Sequence, residues 1–277
     1  MEDREFAFSK SQFNTLVDLV YQETGIVLKE KKYAMVYARL VRRIRALKLN
    51  SFQEYVDYLT GPNGKDEIVS FINSITTNLT KFFREDHQFV HLRQTFAAEC
   101  VEWAKKSGDR RIRIWSAGCS MGLEPYSIAM VLYDCIPAVQ DWDIKILATD
   151  IDTNVLDIAK AGVYDAKFSD DIPANYRSKF ITKSPDKKKI LIHPKLKDMI
   201  HFKSLNLFSN WPMKGPFDAI FCRNVMIYFD IENRKKLVSR YKSLIKPGGF
   251  LYLGHSESLS GREDGLSRDG HATFRKL

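Results

Sequence analysis

The sequence predicts an α/β protein, a doubly wound and mostly parallel sheet preceded by an all-helical segment. Three observations carry that expectation. After residue 107 short β-branched runs alternate with amphipathic stretches, the pattern of strands joined by crossover helices. The first hundred residues instead space their apolar side chains at helical period. Between residues 112 and 132 a strand, a small-residue turn and a helix follow directly, with Pro125 where a first helical turn tolerates a missing N–H.

Residues 11–21 repeat Phe13, Leu16, Val17 and Val20 on one helical face, with Gly25 as the stop. Residues 31–48 continue the period with Tyr33, Val36, Tyr37, Leu40, Ile44 and Leu47, and put Lys31, Lys32, Arg39, Arg42, Arg43, Arg45 and Lys48 on the remaining surface. That basic side is either solvated or a docking face for an acidic partner. Ser51 and Glu54 form a capping-box signature for a short helix to residue 59, closed by Gly61, Pro62, Asn63 and Gly64. Two more helices are expected at 66–76 and 86–106.

Ser107, Gly108 and Asp109 mark the shift to strands at 111–115, 144–149, 199–203, 219–222 and 250–254, with a terminal edge strand at 273–277. Helices fall at 125–135, 154–161 and 231–245. Residues 164–197 break the alternation: they are rich in Lys and Asp, hold Pro173, Pro185 and Pro194, and give only Ile190, Leu191 and Ile192 as a strand, so the piece reads as inserted.

Composition narrows the classes. A chain of 277 residues has room for two domains. No apolar run approaches the roughly 18 to 20 residues of a membrane span. Cys100, Cys119, Cys135 and Cys222 form no Cys-x-x-Cys pair, and no basic-then-apolar leader opens the sequence, so a reduced, cytoplasmic protein is expected. A formal charge of +9 points to an anionic partner.

In an open parallel sheet, ligands bind at the carboxyl ends of the strands. Gly118 and Gly122 there would let backbone approach a ligand, but the Gly-x-x-x-Gly spacing is neither a dinucleotide fingerprint nor a phosphate loop, so a nucleotide-like ligand without a pyrophosphate is favoured. Asp150, ending the second strand, is placed to accept both hydroxyl hydrogens of a ribose; its competing role is N-cap of the helix at Asn154, which Asp152 or Thr153 would fill equally well. Glu124 suits a ligand ammonium or the helix dipole. Polar residues Arg223 and Asn224 follow the strand at 219–222, and Pro247, Gly248 and Gly249 precede the next strand, a layout used by Rossmann-like methyltransferases. His87 and His91 lack the Glu of a zinc-protease helix, so no metal is expected. The stretch from Gly254 to Ser258 lacks the closing glycine of a nucleophile elbow.

The sequence resembles the chemotaxis receptor methyltransferases, the CheR family, along nearly its whole length. The resemblance is carried by Asn78-Leu-Thr-Lys-Phe-Phe-Arg84-Glu, Trp115 through Ser127, Ala148-Thr-Asp-Ile-Asp152, Leu205-Asn-Leu207, Phe221-Cys-Arg-Asn-Val-Met-Ile-Tyr-Phe229, Pro247-Gly-Gly and Gly254-His-Ser-Glu-Ser258. It implies a Rossmann-like methyltransferase sheet (residues 108–277) using S-adenosyl-L-methionine and leaving S-adenosyl-L-homocysteine, a helical N-terminal domain (1–80), a connecting segment (81–107) and an antiparallel β-subdomain inserted at about 164–203. The implied reaction is esterification of chemoreceptor glutamates in chemotaxis adaptation. The implied donor contacts are Asn78, Thr80, Arg84, Glu124 near the amino group, Asp150 at the ribose, Asn206 and Leu207 at the adenine edge, and Arg223 and Asn224. Arg84 and Tyr228 stand nearest the chemistry, with helix capping and core packing as their alternative roles. The expected partner is the receptor methylation region, met through the basic helix 31–48, without nucleic acid or membrane insertion. Family members that grip a receptor tether carry extra glycines in a subdomain loop; the corresponding Ser184-Pro-Asp-Lys-Lys-Lys189 has none, so no C-terminal tethering peptide is expected.

Two rival functions remain at this point. A nucleic-acid methyltransferase suits the charge, but enzymes methylating base amines commonly carry Asp/Asn-Pro-Pro-aromatic where Arg223-Asn224-Val225-Met226 stands. A non-catalytic nucleoside sensor has no need of Arg84 and Tyr228.

Overall fold

The structure is a computed structural model that describes residues 5–62, 64–257, 259 and 265–277. Asn63 of the expected turn and Ser258 of the Gly-His-Ser-Glu-Ser stretch lie outside the described residues.

The helical segment is built from α1 (Lys10–Thr24), α2 (Tyr33–Ala46), α3 (Phe52–Thr60) and α4 (Gly64–Ile75). The complete capping box lies at α1, where Ser9 Oγ accepts from the Gln12 amide and Gln12 Oε1 from the Ser9 amide. At α3 only half of the expected box forms, since Ser51 Oγ accepts from the Glu54 amide but the Glu54 carboxylate accepts from Asn50. Leu16, Val20, Leu40, Ile44, Phe52, Tyr55 and Phe71 close a separate core.

The basic side of α2 is thinner than the sequence implies. Arg39 donates to the carbonyls of Ile75 and Thr76 at 2.6 Å each, Arg43 forms a two-pronged pair with Glu67 at 2.6 and 2.8 Å, and Arg45 pairs with Glu5. Three of the expected surface cations therefore hold the helical segment together.

The expected helix at 86–106 is one helical run, α5 (His87–His91) and α6 (Ala98–Ser107) joined by a π-type segment, Leu92–Ala97. The main sheet follows. Strands β1 (Arg111–Ala117), β2 (Asp143–Asp150), β6 (Ile200–Ser204), β7 (Phe217–Cys222) and β8 (Ile245–Leu253) run parallel in the order β6-β2-β1-β7-β8. Crossovers include α7 (Leu123–Cys135), α8 (Thr153–Ala161) and α11 (Ile231–Leu244). Alternation along each central strand fills two cores. Ile112, Ile114, Ala219, Phe221, Phe250 and Tyr252 pack toward α7, while Trp115, Ala117, Ile220, Cys222, Leu251 and Leu253 pack toward α11. That two-sided burial explains the unbroken apolar runs.

Three expectations need correction. The terminal strand, β10 (Thr273–Lys276), is not an edge: it lies between β8 and an edge strand β9 (Leu266–Gly270), both antiparallel to it. The inserted piece ends before Lys203, because β6 pairs with β2 through Ile146↔Ile200 to Asp150↔Ser204. The small antiparallel sheet is β3 (Val163–Asp165), β5 (Lys189–Ile192) and β4 (Ile181–Lys183) in that order, preceding a single-turn α10 (Pro194–Lys197). Finally, α9 (Ala174–Phe180) forms inside this piece, where only a strand was read, and buries Tyr176 and Phe180.

Candidate active site

The chain order β1, then β2 on one side and β7 on the other, opens a crevice at the carboxyl ends of these strands. A cavity of about 510 Å³ lies there, and Asn78, Thr80, Arg84, Glu124, Asp150, Asn206, Leu207, Arg223, Asn224 and Tyr228 all line it. The structure thus gathers every residue expected at the site. Several of them also bond to one another or to distant elements.

The turn after β1 takes left-handed backbone at Gly118, Ser120 and Gly122. A Cβ on Gly118 would lie 2.4 Å from Val225 Cγ2, and one on Gly122 2.8 Å from Ala159 Cβ. Both glycines therefore serve close packing of protein on protein, and Gly118 also lines the cavity, where its backbone is open to a ligand. This turn is tied to β2: Gly118 N and Cys119 N donate to the Thr149 carbonyl, and Ser120 N donates to Asp150 Oδ2 at 2.7 Å.

Asp150 Oδ1 accepts from the Asp152 amide at 3.0 Å, so each carboxylate oxygen holds one backbone N–H and keeps a lone pair for a ribose hydroxyl. Burial raises its pKa against the downward pull of those amides. The competing N-cap role belongs to Asp152, which accepts from Asn154 N at 3.0 Å and also from Thr76 Oγ1 and Asn78 Nδ2 at 2.7 Å each. Asn78 thereby joins the helical segment to the β2 exit.

Glu124 and Arg223 are engaged with each other. Glu124 accepts from Ser116 Oγ at 2.7 Å and lies 3.3 Å from Arg223, and burial raises its pKa despite that cation. Arg223, 2% exposed in its side chain, also pairs with Glu85 at 3.4 Å and donates to the Arg84 carbonyl. It thus braces the cavity wall that it also lines. Asn206 bridges as well: its amide donates to Glu23 O at 2.6 Å and its carbonyl accepts from Phe208 N at 2.9 Å, so an adenine contact falls to backbone here and to the Leu207 surface.

Arg84 and Tyr228 are the less committed pair. Among the described residues the Arg84 side chain donates only to the Leu79 carbonyl, at 3.0 Å, and the half-buried Tyr228 hydroxyl has no hydrogen-bond partner. Burial raises the Tyr228 pKa and the nearby Arg84 charge opposes it.

Sequence reasoning missed the wall contributed by Val27, Lys29, Lys31, Lys32 and Met35. It is pinned to the site by the Val27 amide donating to the Tyr228 carbonyl at 2.8 Å, a pairing 201 positions apart in the chain that no local pattern announces. Glu85 and Glu257 were quoted only within motifs. Both prove to be substantially buried carboxylates that anchor loops.

A mostly parallel sheet with this strand order, an acid ending β2 with free lone pairs, and a turn without a phosphate-loop sequence fit the class of S-adenosylmethionine-dependent methyltransferases. Residues 78–272 match the family described as CheR methyltransferase, SAM binding domain, and residues 11–76 match CheR methyltransferase, all-alpha domain. The chain belongs to the CheR methyltransferase family. It is 42% identical to a probable chemotaxis protein methyltransferase of Rhizobium etli, over 88% of this chain and 91% of that one. It is 39% identical to the chemotaxis protein methyltransferase of Escherichia coli, over 97% and 91%. S-adenosylmethionine is the methyl donor of this family's binding domain, and Asp150's open lone pairs within the cavity suit its ribose. Among the described residues no helix is long and apolar enough to cross a membrane, and no group of three or more His, Cys, Asp or Glu converges on a metal position.

Proposed function

We propose that the chain transfers a methyl group from S-adenosylmethionine to glutamate side chains of chemoreceptors, forming glutamyl methyl esters. The observation that carries this reading is the meeting of the uncommitted Arg84 guanidinium and Tyr228 hydroxyl with the family's donor residues in one cavity. An acceptor glutamate, with reference pKa near ~4.3, is already anionic at pH 7, so no general base is needed. What the protein supplies is alignment and partial desolvation of that carboxylate. Arg84 and Tyr228 hydrogen-bond it loosely enough that the ground state is not held more tightly than the transition state. S-adenosylmethionine supplies the electrophilic methyl group. Incubation with labelled donor and receptor cytoplasmic fragments tests the reading: label released by mild base identifies the ester, and methylation of nucleic acid instead would overturn it.

In this reading Asp150 holds the ribose of the donor, Asn78, Thr80 and Arg84 contact the donor from the linker region, Asn206 and Leu207 take the adenine side, Glu124 receives the amino group, and Arg223 and Asn224 form the β7 side of the pocket. Asp150→Ala is expected to weaken binding of S-adenosylhomocysteine by about 1 to 3 kcal/mol through lost hydrogen bonds. Titration calorimetry on a folded variant decides it, and unchanged affinity removes Asp150 from donor binding.

The receptor meets a mixed rim. Val27, Leu79 and Ile227 are exposed at the cavity mouth, Leu79 by 81%, and Lys29, Lys31 and Lys32 line the same cavity. Arg42 extends the positive surface along α2. Because Arg39 and Arg43 brace α4, charge reversal belongs at Lys31 and Arg42. Reversing both to Glu is expected to raise the Michaelis constant for receptor fragments by about threefold to tenfold, consistent with the modest worth of exposed charges, and the effect shrinks as salt screens it. Steady-state kinetics at two ionic strengths measure this; insensitivity to both leaves the face merely solvated. The contact needs no C-terminal tether: the turn between β4 and β5 is closed by its own bonds, Ser184 N to the Lys189 carbonyl and Lys188 N to Asp186.

A further inference from the structure

The segment that delivers Tyr228 to the cavity leaves β7 at Cys222 and must reverse within a few residues. Asn224 adopts left-handed backbone (φ 58°), and Met226–Tyr228 forms a single tight turn. Backbone amides in such a reversal lose their ladder partners and need others. The partner here is one side chain from beyond β8. Glu257, 4% exposed, accepts from the amides of Asn224 at 2.8 Å and Gly254 at 2.7 Å through Oε2, and from Ile227 at 3.1 Å through Oε1. The two loop amides flank Val225 and Met226, and Ile227 directly precedes Tyr228. Glu257 does not line the cavity.

We infer that Glu257 is a positioning residue for methyl transfer, its carboxylate clamping both sides of the β7 exit loop so that the Tyr228 hydroxyl points at the acceptor. The inference rests on the reading of Tyr228 given above. An ionised carboxylate suits the task because it only accepts, and each of its oxygens faces N–H donors. Burial raises its pKa, and the surrounding backbone amides, these three among them, oppose that rise by favouring the charged form. Glutamine has the same shape but turns an NH2 toward at least one of those amides, leaving a donor facing a donor. Aspartate keeps the charge and falls one methylene short of spanning both sides.

A double-mutant cycle with Tyr228 tests this, because a residue acting through another loses its effect once that other is gone. Turnover, receptor Michaelis constant, S-adenosylhomocysteine affinity and melting temperature are measured for Glu257→Gln, Tyr228→Phe and the double variant. Glu257→Gln is expected to lower turnover about tenfold or more, as for a misaligned acceptor, with product affinity and receptor Michaelis constant within about twofold. In the Tyr228→Phe background the same change is expected to cost under about twofold. The full loss recurring in that background overturns the inference and leaves the Tyr228 reading standing. Normal turnover in Tyr228→Phe alone overturns the Tyr228 reading and the inference with it. If Glu257→Gln does not fold, Glu257→Asp carries the same cycle, and full turnover in folded Glu257→Asp or Glu257→Gln likewise refutes the clamp.

Discussion

Arg84→Lys is expected to lower turnover at saturating donor about 100-fold, the loss that a misplaced reactant causes, with S-adenosylhomocysteine affinity falling by less. Lysine keeps the charge and most of the length but loses the planar fork that fits a carboxylate. The backbone argues that the position is built for such a role. Phe83 and Glu85, on either side of Arg84, both have positive φ, at 51° and 58°. Each such residue costs of order 1–3 kcal/mol and persists only where its surroundings over-determine it. They do so here: Phe83 N donates to Ser127 Oγ at 3.0 Å, Glu85 accepts from the His255 amide at 3.1 Å and pairs with Arg223, and Arg223 also binds the Arg84 carbonyl. The Arg84 backbone is fixed on three sides while its side chain has one hydrogen bond among the described residues. Tyr228→Phe should act in the same direction by removing the other uncommitted donor. Near-normal turnover in both variants would make these residues scaffolding.

Local chemistry made much of this architecture legible. Period-3.6 spacing marked the helical segment, two-sided burial produced the apolar runs of β1, β2, β7 and β8, and Asp150 was readable because a strand end fixes where its side chain goes. What stayed hidden depended on partners distant in sequence. β9, Leu-Ser-Arg-Asp-Gly, has no apolar alternation because it is an edge strand with one buried residue, Leu266. β6 was legible as a strand at 199–203, but the resemblance carried the insert to about 203, and pairing with β2 assigns these residues to the main sheet. The cations of α2 looked free because Glu67, Glu5 and the α4 carbonyls that engage them come from other elements. At the site the residue list followed from motifs, whereas the ion pairing of Glu124 and Arg223 required the fold.

That pairing yields the largest expected stability effect. Arg223→Ala is expected to cost about 3–5 kcal/mol at neutral pH, the loss typical of breaking a buried ion pair on one side, and to lower the melting temperature by roughly 10 °C at 2–4 °C per kcal/mol. Two buried acids, Glu85 and Glu124, lose their shared cation. In the wild type, burial already raises Glu124, with Arg223 opposing it; burial also raises Glu85, but Arg223 and the His255 amide outweigh it and hold Glu85 below its ordinary range. Glu85 therefore adds stability that is present above its unfolded pKa and lost as pH falls. Without the guanidinium both acids rise above their unfolded values. An acid with a raised folded pKa favours the fold below the unfolded pKa and loses that advantage as pH rises through the folded one. Both changes act in one direction, so the stability gap between wild type and variant is expected to narrow as pH falls from 7 toward 5. Urea unfolding at the two pH values measures it. A gap unchanged with pH would mean that Arg223 stabilises the wall only by packing, its guanidinium 5.4 Å from the Phe89 ring centre, and not by charge.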